Sequence, residues 1–191
     1  ASIAALELDG VRDSRLEDIT ILNPASHAFK FQRSHDVTGD SLTAIGAHNK
    51  DGSSGYQFYF VEAFSNDLTN LVALDGRHGV LFSSYSAEHG NNIHVTETNR
   101  DINFHGSPDA GNVIVIDRFV QDYPEGSDPQ WTAVGPGIFP LHPYSTIDAN
   151  TVVFRHAQAG ERNDTLRGAD GGAWLHGGKG NDRLIGGAGD D

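Results

Sequence analysis

Residues 177–185 read GGKGNDRLI, and this nine-residue phrase sets the pattern for the end of the chain. Blocks of the same length surround it in unbroken register: AGERNDTLR from Ala159, GADGGAWLH from Gly168 and GGAGDD from Gly186. One position of the block holds Leu166, Leu175 and Leu184, and another holds Asp164, Asp182 and Asp191, with Ala173 in the remaining block. A unit this short cannot fold alone, so the blocks are expected to stack as a solenoid.

Glycine fills the first half of each block and determines what its turn can bind. Because glycine readily adopts positive φ angles, the carbonyl groups of such a turn can curl toward one point. The aspartate adds a carboxylate, and together they form an oxygen-only cage suited to Ca²⁺. A flexible Gly- and Asp-rich tail is the alternative interpretation, but three leucines in register favour a folded repeat.

The phrase GGKGNDRLI resembles the RTX repeat GGxGxDxLx, whose family forms a parallel β-roll with calcium between turns two repeats apart. The resemblance implies a metal site made by Gly177, Gly178, Gly180 and Asp182 together with Asn163 and Asp164 of the turn eighteen residues earlier. The site on the other side of the roll is expected to be weaker because Ala173 replaces the aspartate. The resemblance also implies a secreted protein exported by the type I secretion machinery.

Composition narrows the range of partners. The formal net charge of −13 argues against nucleic acid, because few Lys and Arg side chains are left to neutralise phosphates. The absence of cysteine excludes disulfides and thiolate metal sites. No apolar run is long enough to span a membrane, and the N-terminal stretch ASIAALELDG is not a secretory signal.

A second, longer period precedes the nonapeptides. Short aromatic or aliphatic triplets alternate inward and outward side chains and end at Leu8, Phe31, Phe60, Phe82 and Phe104, at intervals of 23, 29, 22 and 22 residues. The one long interval contains HNKDGSSG, which indicates an inserted loop. A second strand follows each triplet, and a small polar residue leads each of these strands, in turn Asp18, Ser41, Asn70, Asn92 and Asn112. In stacked coils the asparagines of this series are expected to hydrogen-bond to one another and to turn backbone.

Coils of about 22 residues with period-two strands predict an all-β fold, a right-handed parallel β-helix followed by a short RTX parallel β-roll. An α/β alternation is the alternative, but no window shows a sustained helical period. We expect the β-helix to span residues 1–156, with an irregular last coil at 121–144, and the roll to span 157–191. Both ends are expected to continue in a longer polypeptide, since neither shows a cap.

Stacking the coils aligns polar residues into two columns. His27, Tyr56, His78 and Arg100 stand four residues before each triplet's last position, and Lys30 belongs to an outward column with Glu7, Tyr59, Leu81 and Asn103. A groove displaying such side chains suits an acidic polysaccharide, whose uronate carboxylate a cation can neutralise while a His or Tyr pair exchanges the neighbouring proton. Elimination would make the protein a lyase, and reprotonation from the other face an epimerase. The alternative is a column of solvated turn residues.

The phrases GRHGVLF (76–82) and DINFHG (101–106), in a β-helix followed by RTX repeats, resemble secreted mannuronan C5-epimerases and other polysaccharide-active β-helices. The resemblance implies a catalytic role for His78, with Tyr56, Arg100 and Lys30 as further catalytic candidates. The Asp-Pro-His-Glu motif of those epimerases is missing, as are the GxSxG elbow and the HExxH motif. A non-catalytic module of a surface adhesin or matrix protein is therefore the second hypothesis.

Overall fold

A computed structural model describes residues 3–84, 86–105, 108–121, 134–136, 149–160 and 163–189. Fifteen strands lie in these ranges: β1 (Ala4–Asp9), β2 (Arg15–Leu22), β3 (His27–Gln32), β4 (Thr38–Ile45), β5 (Tyr56–Val61), β6 (Asp67–Leu74), β7 (His78–Phe82), β8 (Asn92–Thr98), β9 (Ile102–Phe104), β10 (Val113–Val120), β11 (Val134–Pro136), β12 (Thr151–Gln158), β13 (Thr165–Arg167), β14 (Trp174–His176) and β15 (Arg183–Ile185). The described residues contain no α-helix, and none of their segments is a helix able to cross a membrane.

The strands are distributed alternately between two large parallel sheets. The first sheet has the order β1-β3-β5-β7-β9-β11, and the second has the order β14-β12-β10-β8-β6-β4-β2. The tail adds a small sheet in which β13 pairs with β15. This all-β arrangement of parallel strands is consistent with a parallel β-solenoid. We call one strand of each large sheet with its turns a coil, residues 3–121 the coil region, and residues 157–189 the tail.

The triplets identified in the sequence set the register of the first sheet. Phe29 pairs with Phe58, Phe58 with Val80, and Val80 with Ile102. The insertion HNKDGSSG leaves this register intact, because all of it lies between β4 and β5. The prediction that the long interval holds a loop is confirmed.

A ladder of phenylalanine rings fills the space between the sheets. Phe31 stacks on Phe60 at a ring-centroid distance of 5.1 Å, Phe60 on Phe82 at 5.3 Å, and Phe82 on Phe104 at 4.8 Å. All four rings are completely buried. Parallel aromatic pairs of this kind contribute about 0.5–1.5 kcal/mol each beyond the burial of their area.

A ladder of buried asparagines runs beside the aromatic core, and it differs from the predicted one. Asn66 donates its side-chain amide to Asn91 Oδ1 at 2.9 Å, Asn91 to Asn112 at 2.9 Å, and Asn112 to Asn150 at 2.8 Å. Each acceptor oxygen also receives the backbone N–H of the preceding asparagine. The chain of amides therefore satisfies turn backbone that would otherwise be buried without partners.

Of the polar series predicted from the sequence, only Asn112 belongs to this ladder. Asp18, Ser41 and Asn70 lie inside strands of the second sheet and have positive φ angles of 52°, 57° and 55°. Asn92 is exposed and donates to Asp67. The error is one of register: the asparagines that stack are those that end the turn before each strand.

Two other expectations concern the irregular coil and the boundary between the two parts of the chain. Most of the predicted irregular coil at 121–144 lies outside them, with only Gln121 and the backbone of β11 inside. The boundary expected at 156 and 157 falls within β12, which pairs with β10 of the coil region and with β14 of the tail. The second sheet therefore runs continuously from the coil region into the tail.

Candidate calcium site and polar columns

The strands of the tail stack two blocks apart, as the nonapeptide register predicts. Leu166 of β13 faces Leu184 of β15, and Ala157 of β12 faces Leu175 of β14, each pair being eighteen residues apart. Turns of alternate blocks consequently lie above one another on the same side of the tail.

The turn that ends at Asp164 lies against the turn 177–182. The backbone N–H of Asp164 donates to Asp182 Oδ1 at 3.0 Å, and that of Asn181 donates to Asn163 Oδ1 at 2.7 Å. The N–H of Lys179 donates to the carbonyl oxygen of Gly160 at 2.9 Å. The structure thus brings together both halves of the metal site that the sequence proposed.

The glycines of this turn pair are needed for close approach of oxygen atoms. A Cβ on Gly178 would lie 2.0 Å from the carbonyl oxygen of Gly160, and one on Gly177 would lie 2.3 Å from Asp182 Oδ2. Gly178 and Gly180 also have φ angles of +84° and +132°, in the region that favours glycine. Any side chain at Gly177 or Gly178 would fill the space in which these oxygens converge.

The donors in this cradle suit a hard cation. Asp164 is almost fully buried and Asp182 is half-buried, while Asn163 is exposed. Among the described residues, no group of three or more His, Asp or Glu side chains is placed to hold a metal. A cation bound here would therefore take much of its coordination from backbone carbonyls, which Ca²⁺ accepts readily.

The opposite side of the tail has the same backbone packing without the second carboxylate. Ala188 N–H donates to Asp170 Oδ1 at 2.7 Å, and a Cβ on Gly187 would lie 2.4 Å from the carbonyl oxygen of Ala169. A Cβ on Gly168 would meet the methyl group of Ala173 at 2.9 Å, at the point where Gly177 meets the Asp182 carboxylate. The asymmetry predicted from Ala173 therefore has a geometric counterpart.

Comparison with known families agrees with this geometry. Residues 158–191 match the family model described as RTX calcium-binding nonapeptide repeat, in four copies. No curated protein and no solved structure matches the chain. The matched segment is the tail with the residues that follow it, so the calcium-binding repeat is shown for this part of the chain.

The polar column of the first sheet is assembled as predicted but lies inside the molecule. Tyr56 pairs with His78 along the sheet, and the rings of His27 and Tyr56 stack at 4.6 Å. His27, Tyr56, His78 and Arg100 are 1%, 5%, 0% and 6% exposed. The expectation of a groove displaying these side chains is thus not met for these four residues. These side chains do not join the phenylalanine core; the rings of His27 and Tyr56 instead contact the ring of Tyr59 at 5.2 and 5.1 Å.

Each buried member of the column is held by neighbouring polar groups. Arg100 donates through Nε to the carbonyl oxygen of Gly76 at 2.8 Å and through Nη1 to that of Asn99 at 2.8 Å. Burial lowers the pKa of His27 to about 4, with the charge of Lys30 adding to the effect. A buried neutral imidazole and an enclosed guanidinium are both features of a packed interior.

Asp101 is a member of this cluster that the sequence analysis missed. Its two carboxylate oxygens lie 2.9 and 3.0 Å from His78 Nδ1, and Asn103 donates to Oδ2 at 3.1 Å. His105 packs edge-on against His78 at 6.3 Å, and burial lowers its pKa to about 4. The signal in the sequence was that Asp101 directly follows Arg100, a residue of the aligned column.

Lys30, the remaining catalytic candidate, lies on the outer face of the first sheet. Its Nζ forms an ion pair with Glu7 Oε1 at 2.7 Å, and both side chains are partly exposed. The predicted outward register holds for Glu7, Lys30 and Tyr59, which pair in that order, but not for Leu81 and Asn103, which are only 2% exposed. Lys30 lies close to the buried column, because its charge lowers the pKa of His27.

An open groove lies at a different place, along the turns that follow the first sheet. Single-residue parallel bridges stack Arg12, His35, Phe64 and His89 on successive coils. The groove beside them has a volume of about 650 Å³ and is lined by Gly10, Arg12, Arg33, His35, Glu62 and Phe64. Arg33 is paired with Asp9, whereas Arg12 has no ion-pair partner among the described residues.

Proposed function

We propose that this chain is a calcium-dependent extracellular module, in which a right-handed parallel β-helix is continued by an RTX β-roll. The observation that carries the proposal is the close packing at Gly177 and Gly178, where the Asp182 carboxylate and the carbonyl oxygen of Gly160 leave no room for a side chain. The match of residues 158–191 to RTX calcium-binding repeats supports the same ligand.

The handedness of the proposed β-helix rests on a general rule. Every strand of the first sheet is connected to the next strand of that sheet through a strand of the second, and all the pairings are parallel. Crossover connections between parallel strands are right-handed in nearly all proteins, because twisted strands pack back onto a sheet only in that sense. The assignment of residues 1–156 to the β-helix and 157–191 to the roll stays a prediction from the sequence, and β12 is shared between the two parts.

Calcium would act here as a structural staple. Asn163, Asp164, Gly177, Gly178, Gly180 and Asp182 would hold the ion, with side-chain oxygens from the two aspartates and the asparagine and carbonyl oxygens from the turns. The ion would neutralise the buried Asp164 carboxylate and tie one turn to the turn two blocks earlier. Metal binding of this type contributes its free energy directly to folding.

Secretion follows from the same reasoning. RTX repeat proteins are typically secreted. Extracellular calcium modules bind with dissociation constants of roughly 10⁻⁴ to 10⁻³ M, and extracellular calcium can occupy such sites. A roll that stays unfolded at low cytosolic calcium suits export by the type I machinery. The absence of cysteine is compatible with this route because the staple is an ion and not a disulfide.

Isothermal titration with calcium tests the structural staple. We expect the chain to bind calcium and Asp182→Asn to weaken binding at least tenfold, because the variant loses a charged oxygen ligand. Asp117→Asn is the matched control, since Asp117 is a partly exposed acid of the coil region that pairs with Arg155 and His94. Equal affinity in the native chain and Asp182→Asn would remove Asp182 from the site, and no binding at all would end the proposal.

A second candidate function is action on, or binding of, an acidic polysaccharide. The open groove favours it: an extended cleft crosses successive coils and carries the unmatched charge of Arg12 in a chain of net charge −13. A carboxylated polymer could place its charge on Arg12 and its ring against Phe64. Within this candidate an epimerase or lyase remains one form, and a non-catalytic adhesin or matrix module the other.

The predicted catalytic roles of His78, Tyr56, Arg100 and Lys30 stay a prediction. Proton NMR of alginate and other polyuronates, incubated with the chain in calcium and in chelator, detects epimerised and unsaturated residues directly. Turnover that disappears in His78→Ala while the fold persists would support an enzyme. Binding without turnover that disappears in Arg12→Gln would support the adhesin or matrix module and locate the contact in the groove.

A further inference from the structure

Two buried carboxyl groups from successive coils meet beside the asparagine ladder. Glu88 lies in the turn between β7 and β8, and Asp109 in the turn between β9 and β10. Both residues are completely buried, and the side chain of Asp109 is among the causes that raise the pKa of Glu88. The backbone N–H of Glu88 also donates to Asp109 Oδ1 at 2.9 Å.

Hydrogen bonds connect the pair to the neighbouring turns. Glu88 Oε1 accepts the backbone N–H of Glu62 at 2.9 Å and the hydroxyl of Ser86. The carbonyl oxygen of Glu88 accepts the side-chain amide of Asn112 at 2.8 Å, and that of Asp109 accepts the amide of Asn150 at 3.0 Å. Opening the pair would therefore disturb the turns on either side of it.

Two neighbouring carboxyl groups in a buried site are disfavoured as two charges, because mutual repulsion adds to the cost of removing each charge from water. A proton between them converts the repulsion into a hydrogen bond. We propose that Glu88 and Asp109 form a one-proton latch between successive coils, and that loss of the shared proton at alkaline pH opens the turns that carry them. The latch is independent of the calcium site.

The direction of the pH effect follows from the pair's surroundings. Burial, with the hydrogen bond and charge of Asp109, raises the pKa of Glu88 from 4.5 to about 10, and burial also raises the pKa of Asp109. The folded chain then holds a proton that the unfolded chain releases above pH 4.5. Stability conferred by the latch is complete in acid and falls as pH rises toward 10, by about tenfold in the folding equilibrium constant per pH unit.

Few other charges act on the pair. His89, exposed in the same turn as Glu88, lowers the pKa of Asp109 through its charge. Ser86 from that turn and the backbone of Glu62 from the preceding turn supply neutral hydrogen bonds to Glu88. The side chain of Glu62 is itself exposed. The titration of the pair should thus be separable from that of its neighbours.

Urea unfolding of the calcium-saturated full chain between pH 6 and pH 8.5 tests the latch. The unfolding equilibrium constant should rise with pH in the native chain by an additional factor of about ten per pH unit compared with Glu88→Gln. The variant lacks this additional rise because its amide needs no shared proton. Glu62→Gln makes the same chemical change on an exposed carboxyl of the preceding turn and should keep the native pH dependence. The same slope in the native chain and Glu88→Gln would overturn the proposal.

Two measurements on the native chain hold if Glu88→Gln does not fold. Infrared spectroscopy should show the carbonyl band of a protonated carboxyl group persisting at pH 8, and a spectrum without that band would refute the latch. Hydrogen exchange of the amides of Glu62 and Glu88, which donate to the pair, should accelerate above pH 8 by more than the intrinsic tenfold per pH unit. Exchange that follows only the intrinsic rate would equally refute it.

Discussion

The coil region and the tail are built from the same kind of parallel pairing, yet they are held together differently. In the coil region, strands of five to eight residues and the three-residue β9 enclose a ladder of completely buried phenylalanines. In the tail, β13, β14 and β15 have three residues each, and Trp174 and Leu184 are 49% and 47% exposed. The tail has one leucine per block to bury, and only Leu166 is fully enclosed.

This difference shows how strand length determines the source of stability. A long strand can bury two or three large side chains on its inner face, and each buried side chain contributes about 1.5–3 kcal/mol. The three-residue strands of the tail bury at most one large side chain each, which does not offset the conformational entropy of ordering nine residues. The coil region can therefore be held by its core, whereas the tail needs an additional ligand.

The largest expected effect is the selective loss of the tail when calcium is removed. With chelator, amide hydrogens of residues 163–189 should exchange at close to unfolded rates, while those of β3 to β8 stay protected. Hydrogen exchange followed by mass spectrometry resolves the two regions in one experiment. Equal loss of protection in both would show that they fold as one unit, as the continuous second sheet allows.

The same leucine deletion in the two regions sharpens the contrast. Leu71→Ala in the coil region should cost about 2–5 kcal/mol, because it opens a cavity at a fully buried position. Leu184→Ala in the calcium-loaded tail should cost less than about 1 kcal/mol, because that side chain is half exposed. Urea denaturation in saturating calcium measures both. Comparable losses would mean that the tail depends on its leucines as much as the coil region does.

Acid should act on the coil region through its buried imidazoles. Burial holds the pKa of His27 at about 4, below the 6.5 of an unfolded chain, so unfolding is favoured as pH falls from 6.5 toward 4. His27 alone would cost up to about 3 kcal/mol over that interval.

His27→Gln should therefore flatten the fall in the urea midpoint of the coil region between pH 7 and pH 5. The carboxyl latch acts in the opposite sense in both proteins, so their difference isolates His27. An unchanged fall in His27→Gln would show that this imidazole is accessible to protons in the folded chain.

The smallest expected effect is a gain in calcium binding on the weaker side of the tail. Ala173→Asp places a carboxylate where Asp182 stands on the other side, and the calcium concentration needed to fold the tail should drop a few-fold. Ala173→Asn has nearly the same volume without the charge and should bring no gain. Calcium titration of tail folding, followed by far-ultraviolet circular dichroism, measures the shift. No difference between the two variants would indicate that the opposite turns cannot close around an ion.

Much of the architecture was readable from spacing. The intervals between the triplets gave the correct partners for Phe29, Phe58 and Val80, and the nonapeptide register placed Leu166 opposite Leu184. The asparagine ladder was predicted at Asn92, whereas its neighbour Asn91 is the residue that stacks, because a stacked amide and an exposed one look alike in sequence. Nothing local distinguishes Asn91, which is buried, from its exposed neighbour Asn92.

The candidate sites also differ in how much of each could be predicted from the sequence. The two turns of the candidate calcium site were predicted to be neighbours because the repeat needs glycine and aspartate at fixed positions, and this need is visible in the sequence. The column of His27, Tyr56 and His78 was aligned correctly but was expected to face solvent, whereas these side chains are buried. Asp101 and the pair of Glu88 and Asp109 were missed, since residues more than twenty apart meet only after the coils stack.

The sequence by itself determined the two periods, the all-β class and the residues of the calcium turn, because repetition and backbone conformation are local properties. The tertiary structure decided which polar residues are buried and which carboxyl groups share a proton. Burial and mutual distance depend on how coils of unequal length are superimposed, and a single insertion, such as the one between β4 and β5, changes the sequence interval without changing the contact. For that reason the ligand of the tail could be predicted from its repeat, whereas the chemistry inside the coil region could not.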